Sequence, residues 1–399
     1  MTELLAPVGN WIMLEAAIKA GADSVYLGVQ GLNMRAAARN FSLEELEKVV
    51  KRAHKDKVRV YLTVNTIVYD DEIEKIKKVL KGAKKAKVDA IICWDLAVIS
   101  EAKKLNLEIH LSTQASVSNF ESLKLFYKLG VRRFVLAREI SLDQIKEIKK
   151  KIKKEKLKVE IEVFIHGAMC VSVSGRCFMS QFSFGKSANR GGCWQPCRRE
   201  YLVKDIEGGV EFKLGNNFVM SPKDLCTIEF IDKLVEAGID VFKIEGRNRS
   251  PEYVKTVVSA YRKVIDNPKD KKIIKQQLKK LKTVYNKGFS SGFFLGKPIN
   301  EWSGVEGSKA TEKKVYVGKV LNYYSKVKVA EIILEASDLK IGDRIMFQGN
   351  KTGVVEEKVK SLEVDKKKVK KISKGKSVGI KIKGKVREND QVYKMIRQP

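Results

Sequence analysis

Histidine is scarce. The 399-residue chain holds three, His54, His110 and His166, and that narrows the hydrolytic chemistries open to it. No H-E-x-x-H pair is present to hold a catalytic zinc, and no G-x-S-x-G elbow is present to expose a nucleophilic serine. His54 lies in a lysine-rich helical stretch and His110 within an apolar strand pattern. That leaves His166, four residues before Cys170, as the histidine able to pair with a thiol. Long apolar runs are also lacking. With no stretch of about 18 apolar residues, no membrane-spanning helix is expected. The opening MTELLAPVGN carries an acid and lacks a basic n-region with an apolar core, so a secretory signal is not expected. The expected compartment is the cytoplasm, where the six cysteines are not expected to form disulfides.

Acid is short relative to base. The chain has 48 Asp and Glu against 79 Lys and Arg, a net charge of +31. Ion-paired surfaces of heat-adapted proteins balance the two signs, and balance would not leave this excess. A field of that size points to a polyanion, with nucleic acid as the first candidate. A membrane surface is the weaker competitor, because no basic amphipathic helix stands apart from the fold. Hydrophobic residues make up 44% of the chain, enough for a sizeable core.

Short apolar runs alternate with charged segments of helical period. The strand candidates are ELLAP near the start, then residues 24–29, 58–65, 90–95, 108–114, 133–139, 159–167 and 241–246. They are nearly continuous in aliphatic residues, as suits strands covered on both faces. Between them lie helices such as SLEELEKVVKRAHKD, which opens with Ser42 and Glu45 in capping-box spacing. Eight such strands with intervening helices predict a (β/α)8 barrel over residues 1–300; a doubly wound open sheet is the alternative. A long insertion at about 168–239 follows strand seven and contains a hairpin pattern, YLVKDIEGGVEFKL. Residues 311–399 change texture to short alternating runs between turn residues, which predicts a small all-β barrel. This segment has 23 Lys and Arg against 11 Asp and Glu, and its DKKKVKK run suits either a solvated loop or a phosphate-binding patch.

In a parallel barrel, side chains at the C-terminal strand ends converge on one mouth. Those ends carry Asn65, Asp95, Ser112, Gln114, Arg138, Glu139, His166, Lys243, Glu245 and Arg247. The insertion adds Cys170, Cys177, Cys193 and Cys197 in the spacing C-x6-C-x15-C-x3-C. Zinc knuckles are usually tight at both ends. Here only the second pair is tight, so an irregular loop around an iron–sulfur cluster fits better. Four buried free thiols remain the bland alternative. Cys93 falls inside a strand and reads as core, while Cys226, in SPKDLCTIEF, is a lesser candidate ligand in place of Cys197.

The stretch EVFIHGAMCVSVSGRCFMS resembles the signature of the collagenase-like peptidases, family U32, at Glu162, Phe164, Gly167, Ala168, Cys170, Gly175, Cys177 and Ser180. The stretches LLAPVGN, GADSVYLG, LSTQASVSN, GGCWQPCRREY, SPKDLC and FKIEGRNRSPEYV carry the resemblance across nearly all of residues 1–300. One branch of that family hydroxylates the wobble uridine of tRNA. Another hydroxylates a ribosomal cytidine, and a third acts in quinone hydroxylation without the basic C-terminal segment. The resemblance implies oxygen-independent RNA hydroxylation, most like the tRNA branch. It also implies a 4Fe–4S cluster on Cys170, Cys177, Cys193 and Cys197, and prephenate as a co-substrate. On this reading His166, Glu245 and Arg138 are the expected catalytic residues, with His166 and Glu245 in acid–base roles. Arg35, Asn65, Gln114, Lys243 and Arg247 are expected to bind substrate, the arginines holding an anionic metabolite. Trp194 is expected to be packed or to stack on an extruded base. The competing classes are a peptidase and a non-catalytic RNA-binding or redox scaffold.

Overall fold

A computed structural model describes residues 2–35, 40–204, 206–208, 211–212, 220–365 and 367–398. Eight parallel strands form the centre: β1 Glu3–Pro7, β2 Ser24–Gly28, β3 Arg59–Thr63, β4 Ala90–Cys93, β5 Ile109–Leu111, β6 Arg133–Val135, β7 Glu160–Gly167 and β8 Val241–Ile244. Each pairs with the next, and β8 also pairs with β1, so the sheet closes. Closure excludes the open doubly wound sheet and gives the (β/α)8 barrel. Helices such as Trp11–Lys19, Ile73–Lys85, Leu142–Lys154 and Pro251–Asp266 cover it. The Ser42–Glu45 capping box forms, with Glu45 accepting from the Ser42 amide at 2.9 Å and Ser42 Oγ from the Glu45 amide at 3.2 Å. It closes a turn just ahead of the helix Leu46–Lys55.

The barrel interior departs from the usual filling of branched apolar side chains. Arg133 is 1% exposed and donates to Glu3 at 2.8 and 3.1 Å. Lys243 Nζ lies 2.7 Å from the Glu162 carboxylate, and Tyr61 donates to Glu3 at 2.8 Å. Buried charges persist only when paired and hydrogen-bonded, as these are. Outside the strands, a continuous apolar core of helix and strand residues surrounds the barrel.

Strand β7 carries one irregularity that decides the fate of a candidate residue. Val241, Phe242 and Lys243 face Glu162, Val163 and Phe164 in register, but Ile244 faces His166. The extra residue, Ile165, is a bulge, and a bulge reverses the in–out alternation beyond it. The strand then ends at Gly167, whose φ is +108°. A Cβ there would meet the Glu245 carbonyl oxygen at 2.5 Å. Strand Asp224–Cys226 returns antiparallel along this end, with Leu225 opposite Gly167 and Cys226 opposite His166.

The insertion contains a short helix, Met179–Phe184, and several 3₁₀ turns. The expected hairpin pairs Val203–Lys204 with Glu211–Phe212; residues 205, 209–210 and 213–219 lie outside the described set. Past residue 311 the chain forms an eight-stranded antiparallel sheet with its own apolar core, from Val317 to Val392. Its edge strands, Gly353–Lys358 and Lys367–Lys368, are not paired with each other among the described residues. This is the small all-β unit expected at the C-terminus, its long strand Glu312–Tyr324 broken by two register shifts. Met346 and Val354 dock this sheet on Ala16 of the first helix, and Lys255 reaches Glu356 at 2.9 Å.

Candidate active site

The strand ends and the insertion enclose one cleft at the barrel mouth, with a cavity of about 150 Å³. That is far more than one water needs and is room for a small organic group. Arg35, Asn65, Gln114, Arg138, Lys243, Glu245 and Arg247 all line it, together with Cys170, Cys177, Cys193 and Cys197. Asp95 and Glu139 do not. Asp95 caps the helix Leu96–Lys104 by accepting from the Ala97 amide at 2.9 Å.

His166 departs from expectation. The bulge turns it outward, where it is 2% exposed among Tyr253, Tyr261 and Phe289. Its Nδ1 lies 3.3 Å from the Tyr261 hydroxyl. Burial, followed by the charge of Arg249, lowers its pKa to about 3, so the ring is neutral at physiological pH. It does not line the cleft, and neither does His54 or His110.

Glu245 is in the cleft, but as a fixed carboxylate. Burial works to raise its pKa, and Arg35 foremost, then Arg138 and Arg247, outweigh it and hold the group at about 2. Arg35 donates to it at 2.9 Å and Tyr26 at 3.2 Å. A group so strongly ionised is a poor proton donor and a weak base, so the expected acid–base role is replaced by that of a counter-charge. Among the described residues it is the single acid lining the cleft, with Arg35, Arg138, Arg198, Lys243 and Arg247.

The cations are held individually. Arg247 donates to Thr63 Oγ1 at 3.0 Å and Asn33 Oδ1 at 2.9 Å, while its buried Nε has no partner among the described residues. Burial lowers its pKa to about 10, which still leaves it charged. Arg138 stacks on Phe164 at 4.1 Å and donates to the Ala168 carbonyl at 3.0 Å. Lys243 sits over the Tyr26 ring at 4.5 Å and is neutralised from below by Glu162. Asn65 Nδ2 reaches Ser112 Oγ at 3.3 Å and Gln114 Oε1 at 3.5 Å, a polar part of the cleft wall. The surplus of positive charge suits an anionic ligand.

Ser180 and Asn189 bring the two cysteine pairs together. Ser180, 1% exposed, donates to the Gly192 carbonyl at 3.2 Å and accepts from the Trp194 amide at 3.0 Å. Asn189 accepts from the Cys177 amide at 3.1 Å. Arg190 straps the segment to the barrel through a two-pronged ion pair with Glu72. All four thiols are free of disulfides. Burial foremost raises Cys197 to about 11, with the other three thiols adding to it against Arg198. Zinc bonds of about 2.3 Å would require sulfurs roughly 3.8 Å apart. No His, Cys, Asp or Glu cage of that kind occurs among the described residues. All four thiols line the one cleft, and thiolates are the donors that zinc or an iron–sulfur core would use there. Cys93 and Cys226 are buried elsewhere; Cys226 accepts from the Tyr261 hydroxyl at 3.7 Å, on the His166 side of β7, and cannot stand in for Cys197.

Tyr26, Thr63, Phe164 and Arg198 also line the cleft without having been singled out as site residues. The alternation Ser24–Tyr26 on β2 placed Tyr26 on the inner face, but an aromatic in an apolar strand reads as core. Arg198 is fixed by the Ser221 hydroxyl at 3.0 Å and the carbonyls of Met169 and Pro222. No local pattern announces that contact.

A parallel barrel with a thiol-rich lid over a cationic mouth defines the class, a barrel enzyme with its site at the C-terminal strand ends. The family model described as peptidase family U32 matches residues 9–304, and the chain belongs to that family. It is 45% identical to a protein of Porphyromonas gingivalis named collagenase, over 98% of this chain and 97% of that one. It is 40% identical to the tRNA hydroxylation protein P1 of Bacillus subtilis, over 87% of this chain and 83% of that one. It is 38% identical to the 23S rRNA 5-hydroxycytidine C2501 synthase of Escherichia coli, over 66% of this chain and 39% of that one. The relatives' names thus divide between RNA hydroxylation and collagen cleavage.

Proposed function

We propose that this chain hydroxylates a nucleobase in RNA, with the wobble uridine of tRNA, converted to 5-hydroxyuridine, as the substrate favoured. The observation that carries the reading is the joint presence of four free thiols and five cations around one cleft in a chain of charge +31. The relatives named for tRNA and rRNA hydroxylation support it. Cys170, Cys177, Cys193 and Cys197 would hold a 4Fe–4S cluster. Such a cluster supplies one-electron chemistry for an oxidation that does not draw on oxygen. Arg35, Arg138 and Arg247 bind the carboxylates of a prephenate-like donor, and Glu245 keeps Arg35 aimed at the cleft. Asn65 and Gln114 offer hydrogen bonds to the edge of a base, and Phe164, stacked under Arg138, floors the site. The thiol-rich segment roofs the cleft and limits water.

The collagenase name of a close relative in length supports peptide hydrolysis as a second reading. The geometry gives it little: no histidine lines the cleft, and the nearest partner of the Cys170 thiol is the Ser172 hydroxyl at 2.9 Å. Nucleoside mass spectrometry of RNA from a deletion strain tests the two. Loss of a hydroxylated nucleoside, restored by the wild-type gene and not by Cys170→Ser, is expected. An unchanged nucleoside profile together with peptide cleavage by iron-free protein would reverse the order. Anaerobically purified wild type is expected to be brown, with iron and sulfide bound. Cys170→Ser or Cys193→Ser should empty it, and Cys93→Ser should not; equal loss in all three would reject the ligand assignment.

A further inference from the structure

The insertion lines the cleft with its thiols and turns several aromatic rings outward. Cys177 lines the cleft, and its neighbour Phe178 is 65% exposed. Cys193 lines the cleft, and Trp194 beside it is 57% exposed. Phe182, on the helix Met179–Phe184, is 86% exposed. The rings are arranged rather than scattered. Phe178 and Phe182 have centroids 6.2 Å apart, and Trp194 stacks on Phe184 at 5.8 Å with planes 26° from parallel. The Arg199 guanidinium lies 4.4 Å from the centre of the Phe184 ring. A cluster of bare aromatics on a protein surface marks a contact site.

The charge around it selects the partner. From Val163 to Arg199 the sequence has five Lys and Arg and no Asp or Glu; Arg190 is paired with Glu72 and Arg198 lines the cleft, which leaves Arg176, Lys186 and Arg199 exposed on the segment. A second copy of the chain would bring the same positive sign. A single-stranded nucleic acid brings phosphates for the cations and a π face on every base for the rings.

We propose that Phe178, Phe182 and the Phe184–Trp194 stack form a platform for unpaired RNA bases, holding the nucleotides that flank the one entering the cleft. This rests on the RNA reading above and goes beyond it by assigning the surface that selects an unpaired loop over a duplex. Along the chain the outward rings alternate with cleft-lining residues, so the platform borders the mouth. A base stacked on it leaves its neighbour within reach of the opening.

The test measures binding of the full-length protein to three RNAs: a hairpin with an unpaired loop, the same hairpin with abasic loop positions, and a duplex of equal length. Phe182→Ala and Trp194→Ala should each weaken binding of the intact loop by about 5- to 150-fold, the value of one base–aromatic stack. Their affinity for the abasic hairpin and the duplex should match that of wild type. Phe182→Tyr, which keeps the ring, should bind the loop as wild type does. These side chains are exposed, so circular dichroism and melting temperature should not move. Alanine variants that hold the loop as tightly as wild type, or lose loop and duplex equally, overturn the platform and leave the RNA reading standing. Wild-type protein that binds none of the three overturns both. A change in oligomeric state with the alanine variants reassigns the face to a contact between copies and also overturns the proposal.

Discussion

At the scale of single residues, His166 and Glu245 show how position decides protonation. Both occur where barrel enzymes place acids and bases. The bulge carries His166 into an aromatic pocket that lowers its pKa to about 3, and the arginines hold Glu245 at about 2. A histidine buried neutral contributes stability that is fully present above its unfolded pKa, near 6.5. That stability is lost as pH falls through the window toward 3. The loss should follow a slope of about 1.4 kcal/mol per pH unit. His166→Phe, which fits among Tyr253, Tyr261 and Phe289, should remove this slope. Urea unfolding at pH 7 and pH 5 should then show the variant gaining roughly 2 kcal/mol on wild type at the lower pH. If both proteins lose stability in parallel, His166 is not the buried neutral group the structure describes.

At the scale of elements, the end of β7 holds the site together. Gly167 takes a left-handed conformation against the Glu245 carbonyl, at the point where Asp224–Cys226 comes in antiparallel. Gly167→Ala has neither the backbone freedom nor the space, and should cost more than about 2 kcal/mol. The variant should also bind less iron, because Cys170 hangs from this strand end. Chemical denaturation with iron analysis checks both; a variant as stable and as iron-rich as wild type would show that the strand end yields. The hydrophobic alternation made the strands legible, yet the same alternation assigned His166 to the wrong side. A one-residue bulge leaves no mark in a run as uniform as VEIEVFIHG.

At the scale of the whole molecule, the charge of +31 is spread over the barrel, the insertion and the C-terminal sheet. The sheet is docked firmly: Lys314 pairs with Glu252 at 3.1 Å and Lys19 donates to the Thr352 carbonyl at 2.9 Å. Both units therefore present their lysines to a ligand as one body. Affinity for tRNA should fall about a hundredfold between about 50 and about 200 mM salt, the loss that about four phosphate contacts bring. Filter binding or fluorescence anisotropy across that range measures it. A flat response would mean that the excess charge takes no part in binding.

By itself the sequence determined the eight-stranded plan, the excess of positive charge and the four clustered thiols. Each of these follows from local pattern: periodicity, composition and spacing along the chain. Only the tertiary structure decided which strand-end side chains meet. It gathered Arg35, Arg138 and the Glu245–Arg247 pair from three separate stretches, and joined Cys177 to Cys193 through Ser180 and Asn189. It also sent His166 and Cys226 to the far side of β7. Contacts across a closed barrel depend on register and bulges set by distant pairings, and a linear pattern carries no record of those.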